Sequence, residues 1–338
     1  MANTEGVRGY AYEIGQCDVA DENKPALAEF REKRIKWIGW LEADKPHSIW
    51  TQITTMMWFD AAYRTILEAR EYASATTPTA AINRMIGHMI DMGHFQTQVL
   101  ALCRLTDPSD PKKPERGIVS VRRLLGDMVA HRRLLTRENC VCYDGLPFDS
   151  AAAQAEYYQQ HGHQTNGEFR RLPTTGPEAF FASERAHGAF DRISGKTESN
   201  RSRGDLVDER VFRTIGAWLD DPVFSWAITL RHKFIAHAAD EFSRAQAPLE
   251  RPRDELDEFA KAQELIVRAA HALGIGILYD SFHAGVVPVP QFNQFEHLDL
   301  PLTPADRIRA LREWWHEHEE ARKQWVHKKF DLLTGSEL

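Results

Sequence analysis

Apolar side chains recur at three- and four-residue spacing along most of the chain, and alternating apolar–polar runs are scarce, which predicts an all-α fold. The first helix is expected from about Lys24 to Ala43, with Pro25 near its start and Leu27, Phe30, Ile35, Trp37 and Trp40 among charged residues. From His47 to Ser74 a stripe of Met56, Phe59, Tyr63 and Ile66 predicts a long helix, on which Asp60 and Arg64 stand four apart and can pair. A third helix, capped by Thr79, carries Ile82, Met85, Ile86, Met89, Val99, Leu100 and Cys103 before Thr106-Asp107-Pro108 stops it. Ile118 to about Thr136 is amphipathic again, with Leu124, Leu125, Val129 and Leu134 inward and Arg122, Arg123, Arg132 and Arg133 outward.

The pattern fails between about Asn139 and Asp205, where polar, glycine-bearing stretches surround weak helical pieces, so 139–205 reads as an insertion. It resumes at Val207 to Leu219 and at Val223 to Ala239, the latter opened by Asp221 as N-cap and Pro222 at the first helical position. A further helix covers Glu255 to Tyr279. Its Gly274-Ile-Gly276 follows no strand and lacks a third glycine, which suits close helix packing better than a phosphate cradle. A proline-bearing connector then leads to a last helix from Pro304 to about Phe330, with Ile308, Leu311, Trp315, His318 and Trp325 on one side. The organisation expected is an N-terminal arm over 1–48, a helical bundle over 49–283, and a connector with a C-terminal helix packing on the bundle over 284–338.

Composition narrows the class. With 338 residues, 43% hydrophobic and 27% charged, the chain can bury roughly 75% of its unfolded surface. A formal charge of −7 is the wrong sign for a protein that coats nucleic acid nonspecifically, so any nucleic-acid site is local. Four cysteines are too few for a disulfide framework, and neither a secretory leader nor an eighteen-residue apolar run occurs; a cytoplasmic protein away from the membrane is expected.

Metal chemistry finds little support. His88 and His94 lack the i, i+4 spacing of a helical metal pair, and His318 is remote from both. Cys140 and Cys142 have only His161 and His163 nearby in sequence, so the reading is no metal and no cofactor.

The crowded segment is Leu230-Arg231-His232-Lys233-Phe234-Ile235-Ala236-His237. At about 100° per residue Lys233 and His237 share a helix face, whereas Arg231 and His237 are roughly 120° apart. Two copies of the helix about a two-fold axis would present both pairs to one groove. A neutral imidazole can take a proton from a ribose 2′-hydroxyl while a guanidinium grips the phosphate, which is metal-free RNA cleavage; Asp240 could orient the imidazole. A solvated basic face ending in a helix-terminal histidine is the plainer alternative.

Arg231-His232-Lys233-Phe234-Ile235-Ala236-His237 resembles the Arg, polar residue, several residues, His signature of HEPN domains. The helix ending Leu100-Ala-Leu-Cys-Arg-Leu-Thr-Asp107, its charged loop and Val119-Ser-Val-Arg-Arg-Leu-Leu125 resemble the first half of the AbiU2-like branch of that superfamily. The resemblance spans about Ile49 to Tyr279. It implies a helical bundle, a homodimer, and a metal-independent endoribonuclease of the toxin or phage-defence kind, with RNA as substrate and an antitoxin protein as candidate partner. Arg231 and His237 then take the catalytic positions, with His232 and Lys233 as substrate-binding residues; His232 departs from the Asn or Asp frequent after the arginine. The competing function is a catalytically inactive bundle that binds a partner protein or nucleic acid through Arg122, Arg123, Arg132 and Arg133.

Overall fold

The computed structural model describes residues 9–44, 46–76, 82–110, 112, 117–162, 172–235, 240–245, 255–279, 290, 292–298, 300 and 304–327, with backbone alone for 74–76 and 324–327. Among these the fold is all-α: twelve α-helices, no strand, and one isolated bridge between Thr136 and Leu206. Two compact units divide the chain, Met1–Pro288 and Val289–Leu338.

In the first unit the helices are α1 (Lys24–Ile38), α2 (Ile49–Thr76), α3 (Arg84–Thr106), α4 (Val121–Ala130), α5 (Arg137–Cys142), α6 (Ser150–His161), α7 (Phe180–Ser194), α8 (Glu209–Leu219), α9 (Pro222–Leu230), α10 (Glu241–Ala245) and α11 (Glu255–His271). Helical spacing sets what each buries. On α8, Phe212, Ile215 and Leu219 face inward; on α11, Phe259, Ala262, Ile266 and Ala270 do. α11 is the hub, packed against α2, α3, α4, α8 and α9, while α2 pairs along α3. Past its end the chain continues as a π turn, Ala272–Ile277, in which a side chain on Gly274 would lie 3.6 Å from Leu41. The close packing expected of that glycine is thus found at Gly274, while a Cβ on Gly276 would meet nothing within 4 Å.

The expected N-terminal arm and the polar insertion within the bundle both contribute side chains to the core. The segment read as an arm supplies Leu27, Phe30 and Trp37, wholly buried in the same cluster as Ile53, Leu102 and Ile266. Trp37 Nε1 donates to Asp127 on α4 at 2.7 Å, and Lys33 reaches the same carboxylate at 3.3 Å. Val141, Cys142, Ala186 and Phe190 of the 139–205 stretch join the core, and its Asp191, Arg201, Arg203 and Asp205 are engaged in ion pairs. Arg137, with no exposed side-chain surface, holds Asp191 at 2.7 Å and Asp205 at 2.9 Å. Glu138 accepts from Arg203 at 2.7 Å, from Asn23 at 2.7 Å and from the Ala20 amide at 3.0 Å, tying the N-terminal segment to α5. Apolar periodicity fails over this stretch because it registers apolar burial only, not paired charge.

Tyr12 closes this corner. Its ring lies against Gly145 and Gly176, both at positive φ (82° and 90°), where a Cβ on Gly145 would lie 2.7 Å from the ring and one on Gly176 would collide with its hydroxyl. Gly176→Ala is therefore expected to destabilise the fold by about 1–3 kcal/mol through strain and displacement of Tyr12. Urea unfolding checks the loss, and limited proteolysis should show cleavage moving into residues 9–20.

Thr79 lies outside the described residues; the start of α3 is capped by Asn83, whose side chain accepts from the Ile86 amide at 3.0 Å. In the second unit a short 3-10 turn leads into α12 (Ile308–His327), where Trp314 lies beside His318 with ring centroids 4.9 Å apart.

Candidate functional site

The segment that carries the motif begins as the sequence predicts. Asp221 caps α9, its Oδ1 accepting from the Val223 amide at 3.0 Å and from Lys261 Nζ at 2.9 Å, and Pro222 takes the first turn. Val223, Phe224, Ala227 and Leu230 turn inward, and α9 lies against α3. Asp221→Ala is expected to cost about 1 kcal/mol, read as a lower urea midpoint.

The α-helix does not continue through the motif. Arg231–Ile235 forms a π turn, with wider hydrogen-bonded loops than an α-helix, and such turns inside helices concentrate at functional sites. The phase of about 100° per residue that sets Arg231 and His237 roughly 120° apart therefore does not hold across 231–235. Arg231 is half-buried, and its Nη2 donates to His232 Nε2 at 2.8 Å, which makes that nitrogen the acceptor. No ion pair engages Arg231 among the described residues. Its positive charge pulls on the thiol of Cys103 near the end of α3, which burial nevertheless pushes up to about 11. Lys233 Nζ donates to Ser243 Oγ on α10 at 2.7 Å, holding the turn to the next helix.

Arg231, His232 and Lys233 are thus brought into one turn at the surface end of α9. His237 lies outside the described residues. Asp240, expected to orient His237, places Oδ1 on the Ser243 amide at 2.7 Å, where it caps α10.

The basic face of α4 has a structural use. Arg122 donates to Thr106 O at 3.0 Å, to Asp220 at 2.7 Å and to Leu219 O; Arg123 donates to Ile118 O at 2.7 Å and lies 4.3 Å over the Trp40 ring. Arg132 holds Val207 O at 2.8 Å and Glu209 at 2.9 Å, and Arg133 pairs with Glu29. These guanidiniums stitch α4 and the turn after it to α1, α8 and the α3–α4 loop.

Of the residues weighed as metal ligands, His88 and His94 both border one cavity of the first unit, and His318 belongs to the second unit. His161 donates from Nδ1 to Tyr157 O at 3.0 Å, desolvation raises the Cys140 and Cys142 thiols, and His163 lies outside the described residues. No group of three or more His, Cys, Asp or Glu side chains among the described residues is placed to hold a metal ion.

One constellation escaped the sequence reading. Asp60 on α2 and His94 on α3, both buried, meet with Oδ1 and Nε2 3.0 Å apart, and Arg64 donates to Oδ2 at 2.7 Å. Burial alone would raise the Asp60 carboxyl, but the hydrogen bonds from His94 and Arg64 outweigh it and hold the group below its ordinary value. The Asp60–Arg64 pairing was legible from spacing; the contact with His94, 34 positions on, was not. No family model, curated protein or solved structure matches the chain.

Proposed function

We propose that this chain is a metal-independent endoribonuclease of HEPN type, acting in the cytoplasm as a toxin or phage-defence component. Arg231 grips the scissile phosphate and stabilises its growing charge, His237 serves as general base at the 2′-hydroxyl or general acid at the departing 5′-oxygen, and His232 and Lys233 contact the RNA backbone. The observation that supports this most is the state of Arg231: half-exposed, in a π turn, and held by a neutral imidazole with no carboxylate among the described residues to neutralise it. In a chain of net charge −7, three adjacent cationic or titratable side chains at one surface turn supply the local anion attraction that the whole surface does not. Two copies about a two-fold axis would concentrate it in one groove, and an antitoxin protein covering that groove would silence it.

The reading as an inactive binding module drew on the α4 arginines, and those are engaged with carbonyls and carboxylates of the protein itself. The experiment that separates the two incubates the full chain with transfer RNA and a random-sequence RNA pool in excess chelator. Cleavage is expected from the wild type and from Arg133→Ala, and its loss from Arg231→Ala. An inert wild type, or an Arg231→Ala protein that cuts as well as the parent, overturns the proposal.

A further inference from the structure

Between α2, α3 and the start of α11 the first unit encloses an open cavity of about 300 Å³, and none of Arg231, His232 and Lys233 lines it. Its size lies at the lower end of the range for small-molecule sites. The walls are aromatic. Tyr63 stacks on His94 with centroids 3.9 Å apart and planes 9° from parallel, while Phe259 meets His94 edge-on at 5.8 Å and Phe95 at 5.8 Å.

The polar side chains lining this cavity are Tyr63, His88, Asp91, His94 and Glu255, and the carboxylates of Asp91 and Glu255 give it an acidic character. With Asp60 ionised, the 3.0 Å contact requires a proton on His94 Nε2, and the tautomer carrying only that proton presents a lone pair at Nδ1. The His94 side chain is only 5% exposed, it lines the cavity, and its Nδ1 has no hydrogen-bond partner among the described residues. Of the carboxylates at the rim, Asp91 already accepts from Tyr63 Oη at 3.2 Å and from Arg70 at 3.1 Å. Glu255, the first residue of α11, has no hydrogen bond or ion pair among the described residues.

An imidazole acceptor lining the cavity and a carboxylate with no partner among the described residues, set among ring faces with negative quadrupoles, suit a ligand that is apolar in body and cationic with N–H donors at one end. Anions would meet Asp91 and Glu255. A neutral apolar ligand would leave both acceptors without a donor.

We propose that this cavity binds a small organic cation, an amine or guanidine whose apolar body packs on Tyr63, Phe95 and Phe259 and whose charged head is shared by Glu255 and His94. The site is independent of the nuclease reading. Asp60 and Arg64 fix the tautomer and orientation of His94 from beneath, so they position the acceptor without touching the ligand.

The test titrates the full chain with benzylamine, which matches the ring walls and carries an ammonium, alongside benzyl alcohol and benzoate as its neutral and anionic counterparts. Calorimetry is expected to show benzylammonium binding at about 1 mM or tighter, with its two counterparts at least about tenfold weaker. Glu255→Gln, a change at the rim, is expected to weaken benzylammonium about tenfold, and Met92→Trp, which fills the cavity from a part-exposed position, to abolish binding without lowering the melting temperature of the free protein. The proposal is overturned by no benzylammonium binding, by equal binding of benzyl alcohol, or by unchanged affinity in both variants.

Discussion

Arg137→Met is expected to lower folding stability by about 3–5 kcal/mol, the range for breaking a buried ion pair from one side. The fold as a whole is held by about 5–15 kcal/mol, so this substitution alone brings the protein near its unfolding threshold. The size follows from what Arg137 joins. Its side chain has no exposed surface, it bridges Asp191 on α7 and Asp205 in the following segment, it donates to Ser194 Oγ at 3.3 Å, and its guanidinium lies 4.9 Å from the Phe190 ring centroid. Met fills much of the volume but leaves the Asp205 carboxylate, 7% exposed, without its cation. The urea midpoint should fall accordingly, and a loss under about 1 kcal/mol would show that relaxation or water can replace the network.

The acid limb of stability carries the same signature. Burial would raise the Asp191 carboxyl, but hydrogen bonds from Arg201 and Arg137 outweigh it and hold the group below its ordinary value of 3.8. A group depressed in the folded state lends stability that is complete above its unfolded value and is lost as pH falls through its folded value. Stability should therefore drop below pH 3.8, and less steeply in Arg137→Met than in the wild type.

The second large effect concerns the motif. Arg231→Ala and His237→Ala are each expected to reduce metal-free RNA cleavage by about 10²- to 10⁴-fold. Removing the imidazole takes away the proton acceptor for the 2′-hydroxyl; removing the guanidinium leaves the phosphate charge to grow unopposed. Arg231→Lys should fall between wild type and Arg231→Ala, because it keeps the charge and loses the planar fork. Arg231 is half-exposed and in no ion pair among the described residues, so its substitution should leave the circular dichroism and melting temperature close to the parent. A matched loss of fold would instead assign the effect to structure.

Much of the bundle was legible because its helices announce themselves. α8 and α11 place apolar residues at 3.6-residue spacing, and α9 begins with a cap and proline whose geometry is local. What stayed hidden depends on partners distant in sequence. Arg137 looks like a surface residue until Asp191 and Asp205 are set beside it, and Arg122 until α8 ends against it. The π turns at 231–235 and 272–277 were invisible for another reason: within five or six residues, apolar spacing does not separate one helical period from the other. Of the candidate site, the clustering of Arg231, His232 and Lys233 was readable, being consecutive. Their hydrogen bonds to one another and to Ser243 came only with the fold.

The most direct test of the central claim is the chemistry of the cut ends. RNA incubated with the full chain in excess chelator should yield fragments ending in a 2′,3′-cyclic phosphate on one side and a 5′-hydroxyl on the other, because attack by the 2′-oxygen expels the 5′-oxygen. Substrates carrying 2′-deoxyribose at the cut position should resist. Fragments with 3′-hydroxyl and 5′-phosphate ends, cleavage of the deoxy substrates, or no cleavage of any RNA in the pool would contradict the assignment of Arg231 and His237 to this reaction.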